Sequence, residues 1–313
     1  MSALFVVIAP VFLLIAMGRI TVLMHWMDAP GLRGLNDFIF YAAVPALLFR
    51  SIATASEISV VGASSIYFVA CAIVYALAML LARLLLGSGL AQAAVIGLNA
   101  SFGNAVMMGI PVIVTAFGQG ALNSLLGIIL VHTVILLPVA TILIEAGSAR
   151  HTGAGAVLRA TLRGMARNPV LLSIAAAFVW RAAAYALPGW AIPAWIDRFL
   201  SLLGGAMSPV ALFCLGAALP ALSESRLVLR EAFMATGLKL LLLPALVWGL
   251  SHAAGLSGLP LQVAVLTAGM PTGANAFLLA RRMHTMMEAA ASTVVVATAL
   301  SLVTLSVLLA WLQ

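Results

Sequence analysis

Apolar residues in this chain come in runs of about 20, enough for a helix to cross a hydrocarbon core about 30 Å thick, and the polar residues fall mainly in the short gaps between runs. The pattern predicts ten membrane-spanning helices, over residues 2–24, 32–53, 59–86, 91–117, 121–146, 169–187, 197–220, 227–251, 260–282 and 288–312. The longest connection, 147–168, is too short for an independent domain, so residues 1–313 read as one all-α polytopic membrane domain. The first run has no basic stretch ahead of it and no clear small-x-small cleavage site after it, and reads as a retained span.

Two of the runs are interrupted by the same kind of cluster. The first reads Gly-Leu-Asn-Ala-Ser-Phe-Gly-Asn-Ala-Val-Met-Met-Gly-Ile-Pro, from Gly97 to Pro111, and the second Thr-Ala-Gly-Met-Pro-Thr-Gly-Ala-Asn-Ala-Phe, from Thr267 to Phe277. Backbone freed at bilayer depth must be satisfied by a cavity, a ligand or another helix. A matched pair of such breaks is the best pointer in a sequence to a carrier's binding site.

The breaks occupy corresponding places in two halves. Pro-x-x-Leu-Phe occurs at Pro45–Phe49 and again at Pro209–Phe213, an offset of 164; Ser88-Gly89-Leu90 recurs as Ser257-Gly258-Leu259 at 169; Ala94-Val95 as Ala264-Val265 at 170; and Asn104-Ala105 as Asn275-Ala276 at 171. Ordered matches with slowly growing offsets predict a five-plus-five duplication. Repeat one covers about 1–146, a cytoplasmic linker 147–168 and repeat two 169–313. An odd number of spans per repeat forces the second copy to be inverted in the membrane.

Composition fixes the solvent of the fold. Hydrophobic residues make up 65% of the chain and charged residues 7%, against roughly 25% charged in soluble domains, and the mean hydropathy is +1.22. A pI near 10.4 often marks a nucleic-acid partner, but here it follows from loop charge, and no such partner is expected. With the N-terminus outside, the inward loops carry Arg19, Arg33, Arg83, Arg150, Arg159, Arg163, Arg167, Arg226, Arg230, Arg281 and Arg282, which is 11 of the 15 cations. The outward loops carry Arg50, Arg181 and Arg198, and this bias places both termini on the external side. Cys71 and Cys214 fall mid-span and read as small core hydrophobes.

The breaks supply the candidate chemistry. Where the fourth span breaks between Asn104 and Pro111 and the ninth between Gly269 and Gly273, half-helices are expected to cross near the midplane. Their N-termini expose free N–H groups and about half a positive charge each, which favours a carboxylate. Asn104 and Asn275 would cap the breaks or bind the ligand, while Gly103, Gly109 and Gly273 let backbone approach closely. Asn99, Ser101, Thr115, Thr267, Pro271 and Thr272 add polar or kinked lining; packing kinks and interhelical hydrogen bonds are the plainer explanation. Pro45 and Pro209 read as kinks in the second and seventh spans. Lys239 stands near the centre of the eighth span, where an ammonium is costly; it either neutralises a substrate carboxylate or supports the crossover. His132, in the fifth span, is a candidate proton relay, since an imidazole titrates near pH ~6.5, and otherwise a neutral, hydrogen-bonded core residue.

The stretch Asn99–Pro111 with the following Phe117-Gly118, the stretch Lys239–Pro244, and Met270–Phe277 followed by Ala280 resemble the auxin efflux carrier family. The resemblance covers essentially the whole chain and is closer to the bacterial permeases for malonate, malate and related anions, because the long central loop of the plant carriers is absent. It implies the ten-helix inverted-repeat fold of the sodium/proton antiporter and bile-acid symporter type. Spans 1, 2, 6 and 7 would form a scaffold, and spans 3–5 and 8–10 an elevator-like transport domain. It further implies a homodimer in the bacterial inner membrane.

These features predict a secondary carrier of small organic anions, mono- or dicarboxylates, with no cofactor and no metal site; coupling to H+ or Na+ stays open. The alternatives are a cation-coupled antiporter or symporter for another solute and, from another class, a non-transporting receptor or structural protein. Spans 4 and 9 contain no Asp or Glu, which counts against an antiporter. No nucleophile motif of an intramembrane protease and no Asp-rich metal site of a lipid transferase occurs, so enzyme chemistry is not expected.

Overall fold

The computed structural model describes residues 2–54, 62–147, 163, 166–187, 190–219 and 222–312. The described residues form helices and short connections, with no strand beyond one isolated bridge. The expected start of the third span at 59, residue 220 at the end of the seventh, and most of the 147–168 linker with Arg150 and Arg159 lie outside the described residues.

Seven described helices are long and apolar enough to cross a membrane: Ala29–Ala53, Gly62–Leu86, Gln119–Gly147, Pro169–Ala186, Ala194–Ala217, Arg226–Ala253 and Met287–Leu312. Shorter apolar helices cover Ala9–Leu23, Leu90–Ser101, Ala105–Phe117 and Gly258–Ala268. The runs expected at 91–117 and 260–282 are therefore discontinuous. One is Leu90–Ser101 followed by Ala105–Phe117, the other Gly258–Ala268 followed by Ala274–Arg282.

Proline decides where the long helices deform. A proline inside a helix lacks the N–H for its own bond and presses its ring on the carbonyl four residues back. Widened π turns at Ile39–Ala43, Ala105–Gly109, His132–Leu136 and Leu238–Leu242 each begin six residues before a proline, at Pro45, Pro111, Pro138 and Pro244. A π turn absorbs the lost bond without ending the helix. Pro209 acts differently: its span is interrupted at Ala206, between Ala194–Gly205 and Met207–Ala217.

Small residues set the closest helix contact. The Ser2–Leu23 helix packs on Met207–Ala217. A Cβ placed on Gly18 would stand 1.9 Å from the Phe213 carbonyl oxygen, and one on Gly216 would stand 1.8 Å from that of Ile15. Backbone touches backbone here, the arrangement small residues permit where lipid supplies no hydrophobic drive. Elsewhere, Arg50 and Asp197 form a two-bond ion pair at 2.7 and 3.0 Å, and Arg181 donates to the Ile52 carbonyl. Arg50 and Arg181 are thus both spent on protein partners.

Buried apolar side chains gather in two large clusters. One joins the Ser2–Leu23, Val44–Ala53, Pro169–Ala186 and Met207–Ala217 helices to the segment from Ala105 to Ile129. The other joins Gly62–Leu86, Leu90–Ser101, the middle of Arg226–Ala253 and Gly258–Ala268.

Candidate functional site

The two broken segments meet. Gly103 and Thr272 pair as an antiparallel bridge, the Asn104 N–H donates to the Pro271 carbonyl at 2.8 Å, and the Gly273 N–H donates to the Phe102 carbonyl at 2.9 Å. Each break thus satisfies the other's freed backbone, as bilayer depth demands. The Thr272 hydroxyl adds a bond to the Asn99 carbonyl at 2.8 Å, and the Ser101 hydroxyl bonds back to Gly97.

Such an approach leaves no room for side chains. A Cβ on Gly273 would lie 2.9 Å from the Phe102 ring and 3.1 Å from the Gly103 carbonyl oxygen, and one on Gly103 would lie 3.2 Å from Lys239 Nζ. At Gly109 a Cβ would meet its neighbours at 3.5 Å or more, ordinary contact, so close approach requires glycine at 273, a side chain at 103 would press on the tip of Lys239, and 109 is free of the constraint.

Lys239 sits behind this bridge. It is fully buried in the π turn before Pro244, and its ammonium donates to the Ala268 carbonyl at 2.5 Å. Ala268 ends the Gly258–Ala268 helix, whose carbonyl end carries partial negative charge. Among the described residues no carboxylate pairs with this cation. It serves the helix end as a bound cation would.

His132 is held from three sides. Its ring stacks on Phe102 with centroids 4.4 Å apart and meets Tyr67 edge-on at 5.4 Å. Nε2 lies 3.2 Å from the Ser101 carbonyl oxygen and 3.3 Å from the Gly103 nitrogen. A single ring nitrogen cannot donate to the first and accept from the second at once, so the proton on His132 selects which crossover group is satisfied. Cys71 also donates to the Ser101 carbonyl, at 3.6 Å.

A cavity of about 50 Å³ opens on one side of the bridge. Asn104, Asn275, Gly103, Gly273 and His132 line it, together with Phe102, Ala105, Val106, Met107, Ile129 and Ala274; Phe40, Asn168 and Val170 close the facing wall. No acidic side chain is in this lining. Three helical segments begin here. Asn104 caps the one that starts at Ala105, its Oδ1 accepting from the Met107 N–H at 3.2 Å. Ala274–Arg282 begins at Gly273 without a side-chain cap, and Pro169–Ala186 begins at Asn168. Each N-terminus carries about half a positive charge and unspent N–H groups unless capped. Asn104 Nδ2 is buried with no partner among the described residues, as is Asn99 Oδ1. Positive helix ends, amide donors and no acid are chemistry that suits an anion.

Of the residues singled out in the sequence, Asn104, Asn275, Gly103, Gly273 and His132 come together at the cavity. Asn275 lies in the first turn of its helix rather than capping it. Asn99, Ser101, Gly109, Pro111, Pro271, Thr272 and Lys239 stand behind the lining, and Pro45 and Pro209 act at bends elsewhere. Phe40, Asn168 and Val170 were not anticipated. Asn168-Pro169 did carry a signal, an asparagine cap before a proline at the first helical position. Among the described residues no group of three His, Cys, Asp or Glu is placed to hold a metal.

Residues 3–309 match the model of the family described as membrane transport protein, and the chain belongs to this family, that of the auxin efflux carriers. Among its relatives is a protein of Rhizobium meliloti (strain 1021) named "Putative malonate transporter", 28% identical over 316 residues that span 96% of this chain and 93% of the relative.

Proposed function

We propose that this protein is a secondary transporter of small organic anions, mono- or dicarboxylates such as malonate or malate, working by alternating access about the helix crossover. The observation that carries the reading is the acid-free cavity, whose lining includes three helix N-termini and where the Asn104 amide nitrogen has no partner among the described residues. The name of the Rhizobium relative agrees with it.

The reading includes ten spans in a five-plus-five inverted repeat, with spans 1, 2, 6 and 7 as scaffold and 3–5 and 8–10 as transport domain. Helix pairing supports it, because contacts recur between equivalent positions. The first span packs on the second half of the seventh, as the sixth packs on the second half of the second; the third packs on the first half of the fourth, as the eighth packs on the first half of the ninth. The cavity's facing wall, Phe40, Asn168 and Val170, comes from spans 2 and 6. A volume of about 50 Å³ holds about three to five waters at ~10–15 Å³ each, fewer heavy atoms than a dicarboxylate brings, so substrate enters when this wall moves away from the crossover. The cation-rich loops face the cytoplasm of a bacterial inner membrane, and a homodimer forms through scaffold helices.

Lys239 holds the Ala268 end of the crossover and adds a positive field from behind Gly103. If transport is proton-coupled, His132 is the group placed to feel the proton, through its choice between Ser101 and Gly103. The test is uptake of labelled malonate and malate into proteoliposomes under imposed proton or sodium gradients, wild type beside Asn104→Ala. Saturable uptake that the variant loses supports the reading, and its gradient dependence names the coupling. Folded, inserted wild type that takes up neither acid overturns it.

A further inference from the structure

We propose that Asn168, at the start of the Pro169–Ala186 helix, is a second carboxylate subsite that makes the cavity select short dicarboxylates over monocarboxylates. The proposal rests on the reading of the crossover as an anion site and adds its substrate class. Asn168 stands on the wall facing the crossover, on a helix that packs on Val44–Ala53 and Ile39–Ala43. Its oxygen is already spent: Oδ1 accepts from the Val170 and Leu171 N–H groups at 2.9 and 3.4 Å, and its carbonyl accepts from Leu172 at 2.9 Å. Pro169 has no N–H. The first turn therefore has no free backbone donor to offer a ligand.

What remains is the side-chain amide nitrogen of Asn168, polarised by the two N–H groups on its oxygen and lying in the positive field of an 18-residue helix. The cap fixes which end of the amide is nitrogen, because only the oxygen can accept those bonds. On the opposite wall Asn104 has the same arrangement. Its oxygen caps Met107, and its nitrogen, in a side chain only 6% exposed, has no partner among the described residues. Two capping asparagines thus present amide donors from two facing walls of one acid-free cavity. A monocarboxylate satisfies one wall. A short dicarboxylate can meet both, one carboxylate on each asparagine.

The test is equilibrium binding of malonate and of propionate to the purified full-length protein, for wild type, Asn168→Ser and Asn168→Asp. Both variants keep an oxygen that caps the helix; Ser withdraws the amide nitrogen and leaves only a shorter hydroxyl donor, while Asp removes the donor and adds a repelling charge. Wild type is expected to prefer malonate, with the preference falling about fivefold or more in Asn168→Ser, the scale of one charge-assisted hydrogen bond, and further in Asn168→Asp. An unchanged preference in both folded variants overturns the subsite, as does a wild type that binds both acids equally; each leaves the crossover reading standing. Should Asn168→Ser fail to fold, the Asp variant decides alone. A wild type that binds neither acid overturns the crossover reading and the subsite together.

Discussion

Lys239→Met removes the ammonium behind the crossover while keeping most of the side chain's length and volume, and its two consequences separate. For folding, the variant loses one charged hydrogen bond, to the Ala268 carbonyl at 2.5 Å, a contact worth about 1.5–3 kcal/mol. It also sheds a cation whose place at mid-span costs about 2.5–3.5 kcal/mol on the insertion scale. The balance runs from about 0.5 kcal/mol lost to about 2 kcal/mol gained, a shift between roughly 2 °C down and roughly 8 °C up. For binding there is no such offset. A Cβ on Gly103 would be 3.2 Å from Nζ and Gly103 lines the cavity, so an anion across that glycine lies roughly 7 Å from the ammonium, where an effective dielectric of about 20 gives a little over 2 kcal/mol. Malonate affinity should therefore fall on the order of 50-fold, measured by titration calorimetry beside a thermal melt of the same preparation. Unchanged affinity with an unchanged melt would refute the electrostatic argument. A melt lowered by more than about 10 °C would show that the bond to Ala268 is chiefly structural.

Other substitutions probe other links. Gly216→Val forces backbone apart where even a Cβ would fall 1.8 Å from the Ile15 oxygen, and should cost about 3 kcal/mol or more, whereas Gly237→Ala, with nothing within 4 Å of the new methyl, should leave the melt unchanged or raise it. Gly103→Ala presses on Lys239 Nζ and should lower uptake more than it lowers stability, read by transport rate beside a melt. Arg50→Ala removes a half-exposed ion pair worth at most about 1 kcal/mol; a double-mutant cycle with Asp197→Ala should give a coupling energy no larger.

Much of this architecture is written in run length and in the placement of proline and glycine. The breaks at Asn104 and Pro271 are legible because unpaired backbone is intolerable in lipid unless something answers it, and here the breaks answer one another. The π turns are legible in retrospect, since each precedes a proline by the same interval. The facing wall is another matter. Phe40 and Val170 look like any apolar span residues, and their place opposite the crossover depends on how the helices pack. Asn168 announces a helix start, but nothing local says that the start points at a cavity formed by residues more than 30 positions earlier and more than 100 later. Lys239 was legible as costly and therefore purposeful; which side of Gly103 it occupies was not, because one turn of a helix decides it.

The central claim is that the crossover cavity binds a carboxylate through Asn104. Asn104→Asp tests it most directly, because aspartate keeps the oxygen that caps Met107 and replaces the unpartnered amide nitrogen with a negative oxygen. The measurement is the rise in melting temperature of purified protein with increasing malonate. The account predicts a saturable rise in wild type and none in Asn104→Asp, with the two ligand-free proteins melting within a few degrees of each other. An equal rise in both proteins would contradict it.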